Sequence, residues 1–183
     1  MTSNESNSDL QPKQLSIEEL RELLSRVKNK EDNGKKLREG QSILFDTPGD
    51  HIEQADKLIK DGIRKYKSGN VQGAYADFEQ SLKVCTTADG YYNRGVVALD
   101  FENFSRAISD FTAAIIFDPE YANAYNNRAI SIMGALLGEN NTVHPSEVKD
   151  IVKFAKNDFQ RAVNLGNSQA GSHLNRVKRN FNV

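Results

Sequence analysis

The chain has 183 residues, 38% of them hydrophobic and 27% charged, with a formal net charge of -1 and a mean hydropathy of -0.63. That length allows one domain with a core plus a tail, and that charge gives no general attraction to nucleic acid or to a membrane surface. No stretch approaches the roughly 18 apolar residues a membrane helix needs, and the start at Met1-Thr2-Ser3-Asn4-Glu5 has neither the basic nor the apolar part of a secretory signal. Cys85 is the single cysteine, which excludes an internal disulfide and a cysteine cluster for metal. A cytoplasmic location is the expectation.

Residues 1–50 read as an N-terminal extension, its first 15 residues polar and too poor in apolar groups to order themselves. Ser16 with Glu19 forms a capping box. Ile17, Leu20, Leu23, Leu24 and Val27 follow at helical spacing, predicting a short amphipathic helix over about 16–28. The charged run Lys28 to Lys36 then reads as a loop, Ile43-Leu44-Phe45 as a small apolar anchor, and Asp46-Thr47-Pro48-Gly49-Asp50 as a turn.

Residues 51–183 are periodic. Gly62, Gly95 and Ala129 are small residues midway along a first helix; Ala74, Ala107 and Ala155 are small residues in a second; Phe78, Phe111 and Phe159 follow four residues later. Gly62 to Gly95, Ala74 to Ala107 and Phe78 to Phe111 are each 33 residues. Helices approach closely where one presents Gly or Ala and a neighbouring ring fills the space beside it. Gly69 is suited to a left-handed stop, and Asp118-Pro119 ends a helix. Ala129 to Ala155 spans 26 residues where Gly95 to Ala107 spans 12, so an insertion lies near 138–146, with Pro145 suited to open the next helix. The units fall at about 55–87, 88–121 and 122–167. A last helix over about 168–180, capped by Ser168 and striped by Ala170, Leu174 and Val177, would cover the open face of unit three.

Tyr91-Tyr92-Asn93-Arg94-Gly95, Ala107-Ile108-Ser109-Asp110-Phe111 and Ala114-Ile115-Ile116-Phe117-Asp118-Pro119 resemble a tetratricopeptide repeat (TPR) of the common bacterial type. Tyr125-Asn126-Asn127-Arg128-Ala129 with Asn157-Asp158-Phe159 is similar; Gly62 through Ser81 is a weaker copy, with Tyr66 displaced by one place and no closing proline. The resemblance covers about residues 55–166. It implies an all-α right-handed solenoid of three antiparallel helix pairs, with an N-terminal helical extension and a C-terminal capping helix. It also implies a non-catalytic interaction module, a scaffold, adaptor or assembly factor, holding a partner peptide in a groove lined by the first helices.

Counted from the matched small residues, the groove would present Asp56, Ile59, Lys60, Ile63 and Lys67; then Asp89, Tyr92, Asn93, Val96 and Asp100; then Asn123, Asn126, Asn127, Ile130 and Met133. Carboxamides both donate and accept, so Asn93 and Asn127 are suited to pairing with a peptide backbone; the alternative is that they bond neighbouring helices. Chaperone-binding members of the family clamp a terminal carboxylate with cations and Asn at set positions. Only Asn93 matches: Ile59, Ile63, Asn123 and Asn127 stand at the others, so no carboxylate clamp for heat-shock chaperone termini is expected.

Catalysis finds little support. Asn29-Lys30-Glu31-Asp32 and Asp46-Thr47-Pro48-Gly49 resemble fragments of a GTPase, but the glycine-rich phosphate cradle is missing and their order is wrong. His51, His144 and His173 lack any second ligand at helical spacing, so neither metal nor cofactor is expected. The basic group His173, Arg176, Lys178 and Arg179 suits a helix C-terminus and lacks the aromatic interleaving of a single-strand binder. A second reading is a secretion-type chaperone or self-associating structural protein using the N-terminal helix, whose stripe could instead dock on the chain's own first repeat.

Overall fold

A computed structural model describes residues 11–12, 14–40, 49–138 and 148–181, the side chains of 35–40 excepted. The expectations for residues 1–10, for the apolar anchor at 43–45 and for the insertion at 139–147 with Pro145 lie outside the described residues. Those described form eight helices and no strand: α1 (Ile17–Gly40), α2 (Gly49–Lys67), α3 (Val71–Val84), α4 (Ala88–Asp100), α5 (Phe104–Phe117), α6 (Ala122–Leu137), α7 (Lys149–Asn164) and α8 (Ala170–Phe181). The pairs α2–α3, α4–α5 and α6–α7 stack as a right-handed solenoid, and α8 packs on α7.

The small residues act where the spacing puts them. A Cβ on Gly62 would stand 2.6 Å from the Phe78 ring, and one on Gly95 would stand 2.9 Å from that of Phe111. Those distances are too short for any side chain, so the first two helix pairs close only because glycine is there. The turns also repeat. Gly69 (φ +84°) and Glu102 (φ 55°) take the left-handed conformation that stops α2 and α4. The next residue, Asn70 or Asn103, then caps α3 or α5, its side-chain oxygen accepting from Gly73 N–H (3.0 Å) or Arg106 N–H (3.2 Å). Gly166 (φ +88°) and Asn167 repeat the device before α8. Asn167, not the expected Ser168, is its cap, accepting from Gln169 N–H (3.0 Å) and Ala170 N–H (2.8 Å).

The N-terminal helix differs most from its expectation. Its capping box forms, with Ser16 N–H donating to Glu19 (2.8 Å) and Glu19 N–H donating to the Ser16 hydroxyl (3.2 Å). It does not stop near residue 28: the run read as a loop continues as helix to Gly40, with Gly34 buried. Nor does its stripe dock on the first repeat. Leu20, Leu23, Leu24 and Val27 are buried with Ile108 of α5, Ile132 and Leu136 of α6, and Ile151 and Val152 of α7. Helix α1 therefore seals the seam between units two and three, and each buried leucine contributes about 1.5–3 kcal/mol to holding it there. Leu174 and Val177 of α8 join the same core, as the stripe requires.

Candidate functional site

Across the first helices of units two and three runs a polar chain built on tyrosine and amides. Asn127 Nδ2 donates to the Tyr92 hydroxyl (3.2 Å), Asn126 Nδ2 donates to Asn127 Oδ1 (3.1 Å), and Asn126 Oδ1 lies 3.1 Å from Nδ1 of His173 on α8. The chain crosses three helices, α4, α6 and α8. Tyr92 also stacks on Tyr121 (centroids 4.8 Å apart), whose hydroxyl donates to Asp89 (2.7 Å). Burial and the Asp89 bond push the Tyr121 phenol above its ordinary value; burial raises Tyr92 while the Asn127 bond opposes it. Both are neutral hydroxyls at physiological pH.

The remaining expected groove residues divide by unit. In unit one Lys60, Lys67 and Asp56 are exposed, and Ile63 is half-buried against the cluster of Ile59, Tyr75, Phe78 and Val97. Ile59 itself is only 5% exposed, so it is core and not groove, because it packs under the next repeat's Val97. In unit two Asn93 is half-buried and donates within its own helix to the Asp89 carbonyl (2.8 Å), Val96 packs with Ala98 and Phe111, and Asp100 accepts from the Tyr66 hydroxyl. In unit three Asn123 accepts from Asn167 (2.8 Å), Asn126 is buried at 2% exposure, and Ile130 and Met133 line a cavity of about 270 Å³ against α8. Most of the asparagines thus bond neighbouring groups and one another.

Beneath this surface lies a feature the spacing argument missed. The Arg94 guanidinium of α4 donates to both oxygens of Asp110 on α5 (2.9 and 2.7 Å) and lies 3.8 Å from Glu79 of α3. The corresponding Arg128 of α6 donates to both oxygens of Asp158 on α7 (2.7 and 2.8 Å). One repeat on from Glu79 stands Thr112, whose hydroxyl accepts from Arg128 at 3.2 Å and cannot neutralise it. The second carboxylate comes instead from the N-terminal helix, where Glu31 accepts at 2.6 Å. Burial pushes the Asp158 carboxyl upward while Arg128 pulls it down. Desolvation opposes the charge on Arg128, but Asp158 and Glu31 outweigh it and raise its affinity for protons. The signal was present in the sequence: aspartate precedes each matched phenylalanine, at Asp77, Asp110 and Asp158. In unit one the arginine is replaced by Asp61, and Lys65 pairs with Asp77 instead (2.7 Å).

Among the described residues no cluster of three His, Cys, Asp or Glu gathers as for a metal ion, and no helix is long and apolar enough to cross a membrane. Cys85 is the half-buried C-cap of α3.

No family model matches the chain. A Dictyostelium discoideum protein, DnaJ homolog subfamily C member 7 homolog, is 33% identical over 83 residues, which is 43% of this chain. The matched region spans 15% of that relative's length. Among solved structures, the first TPR of Spaghetti (RPAP3), bound to the HSP90 peptide SRMEEVD, is similar with a TM-score of 0.60 and 19% identity, covering 72% of this chain and 95% of that one. The Arabidopsis OM64 TPR domain gives 0.59 and 23% over 71% and 98%. The second TPR domain of human RPAP3, in complex with the HSP70 peptide SGPTIEEVD, gives 0.55 and 24% over 70% and 98%. The solenoid has the tetratricopeptide-repeat fold. Because two of these neighbours hold chaperone peptides, the expectation that such termini are excluded from this groove gains no support.

Proposed function

We propose that this tetratricopeptide-repeat solenoid is a non-catalytic protein–protein interaction module, a scaffold, adaptor or assembly factor that holds a peptide segment of a partner along α2, α4 and α6. The observation that carries the reading is the tyrosine–amide chain from Tyr92 through Asn127 and Asn126 to His173. A carboxamide has two donor hydrogens and two acceptor lone pairs, and at half-buried Asn127, held from below by buried Asn126, the bonds within the chain leave some of these for an extended backbone. Ordering such groups in advance lowers the entropy lost on binding. The complexes of similar folds with short peptides support the same reading. The cytoplasmic setting expected from the sequence is part of the proposal.

The reading of the N-terminal helix as a self-associating element loses its apolar stripe, which is buried within the chain. The test is affinity capture of partners by the tagged protein, with Asn93→Ala/Asn127→Ala as the control. Neither residue belongs to the apolar core, so helical content stays unchanged while capture falls about tenfold, the effect of losing about 1.4 kcal/mol in paired groups. Capture equal to wild type sinks the groove assignment.

A further inference from the structure

The cavity between α6 and α8 has a chemistry that the amide chain does not use. Ile130, Met133, Leu137, Phe159, Val177 and Phe181 supply its apolar wall, and Arg176 and His173 its polar edge. Its volume of about 270 Å³ lies just under the roughly 300–1,000 Å³ of small-molecule sites, a size suited to one apolar side chain. Leu137 stands 58% exposed at its mouth, the most exposed large apolar side chain among the described residues.

Charge then narrows the occupant. Helices α6 and α8 contain no Asp or Glu at all. The single cation of α6, Arg128, is buried and held by Asp158 and Glu31. Helix α8 carries Arg176, Lys178 and Arg179, and Arg176 is exposed, with no ion pair among the described residues. At the other end, α2 carries five Lys or Arg against four Asp or Glu, and α4 one against two. The α6–α8 end is therefore basic where α2 and α4 together are balanced, so an acidic segment is attracted to the α6–α8 end.

We infer that this cavity docks an acidic peptide segment of a partner, taking one apolar side chain against Leu137, Met133 and Val177 while Arg176 receives a neighbouring carboxylate side chain. The inference rests on the reading of the groove as peptide-binding and adds to it a partner chemistry and a location. A guanidinium at the rim of an apolar pocket offers a two-pronged bond whose strength grows as the side chain beside it excludes water. A second copy of the chain is a poorer occupant, since its own α8 would bring like charge to the same edge.

The experiment uses the full chain and a fluorescein-labelled, amidated heptapeptide, SEDLEDS, with SEDSEDS and SKKLKKS as controls, read by anisotropy. SEDLEDS binds at least tenfold more tightly than either control and weakens as salt is raised. Arg176→Glu and Leu137→Ser, both at exposed positions that folding does not need, each weaken it about tenfold or more. Equal affinity for the three peptides, no binding up to about 1 mM, or affinity untouched by both variants overturns the inference. So does a concentration-dependent dimer that Leu137→Ser abolishes, since the occupant is then a second copy. If Arg176→Glu and Leu137→Ser change nothing while Asn93→Ala/Asn127→Ala abolishes capture, the cavity assignment fails and the groove reading survives. The opposite pattern keeps the cavity and discards the amide chain.

Discussion

Removing the Asp158 carboxylate tests how unit three is held together. Arg128 is 1% exposed, and its charge is met by Asp158 through two bonds, by Glu31 through one, and by the Thr112 hydroxyl. The rings of Tyr125 and Phe154, with centroids 5.6 and 5.3 Å away, close its other sides. Asp158→Ala strands a buried guanidinium on a single carboxylate, which costs about 3–5 kcal/mol. Glu31→Ala leaves the two-pronged pair intact, and Glu31 is 28% exposed, so its loss costs about 1–2 kcal/mol. The two are coupled. Once Asp158 is gone Glu31 is the sole counter-charge, and its removal then costs at least about 1 kcal/mol more than in the wild type. Asp110→Ala falls between them, because Arg94 is 13% exposed and retains Glu79. Urea unfolding at constant m gives the three values. Amide exchange over residues 28–34 reports separately on the second half of α1, which Glu31→Ala should loosen well before global unfolding. Equal costs for Glu31→Ala and Asp158→Ala, or unaltered exchange in α1 after Glu31→Ala, would refute the assignment of α1 as the supplier of the missing carboxylate.

Two further outcomes are expected. Gly62→Ala forces a Cβ to 2.6 Å from the Phe78 ring, and Gly95→Ala to 2.9 Å from that of Phe111. Overpacking of about 1–3 kcal/mol exceeds the roughly 1 kcal/mol gained in helix propensity, so both destabilise in urea, Gly62→Ala the more. Tyr66 donates to Asp100 across two repeats, and burial followed by that bond raises its phenol from 10.0 to about 12. A folded pKa above the unfolded value makes this stabilisation complete below about pH 10 and lost as pH rises through about 12. Ultraviolet titration of Tyr66→Phe should lack a phenolate step near 12 that the wild type shows. A wild-type curve that completes near 10 would count against the bond.

Repetition explains which parts of this molecule could be read in its sequence. Gly62, Gly95, Phe78 and Phe111 recur at one offset because each solves the same local packing problem, so the helix pairs were legible. The left-handed turn at Gly69 was legible from its residue type, whereas Glu102 hides the same turn behind an ordinary side chain. What happens once leaves no period. Glu31 and Arg128 lie 97 residues apart, and their ion pair is invisible to any search for hydrophobic spacing. The charged run Lys28 to Lys36 looked like a loop because its helix is stabilised by that contact and by docking on α5 to α7, not by an apolar stripe of its own. Gly134, against which the Phe104 ring packs, joins neighbouring units and so fell outside the within-unit landmarks. In the site, Tyr92, Asn126 and Asn127 were expected, whereas His173 and Tyr121 enter only because α8 and the start of α6 fold back beside them. Ile59 was misplaced because buried and groove-facing positions are neighbours on one helix surface.

The central claim is that a partner peptide lies along the inner helices of the solenoid. Hydrogen–deuterium exchange of the captured complex against the free protein tests it most directly. The account predicts new protection concentrated in α4 and α6, residues 88–100 and 122–137, with α8 following and α3 and α5 unchanged. Protection confined to α1, α3, α5 and α7, with α4 and α6 exchanging as in the free chain, would contradict it.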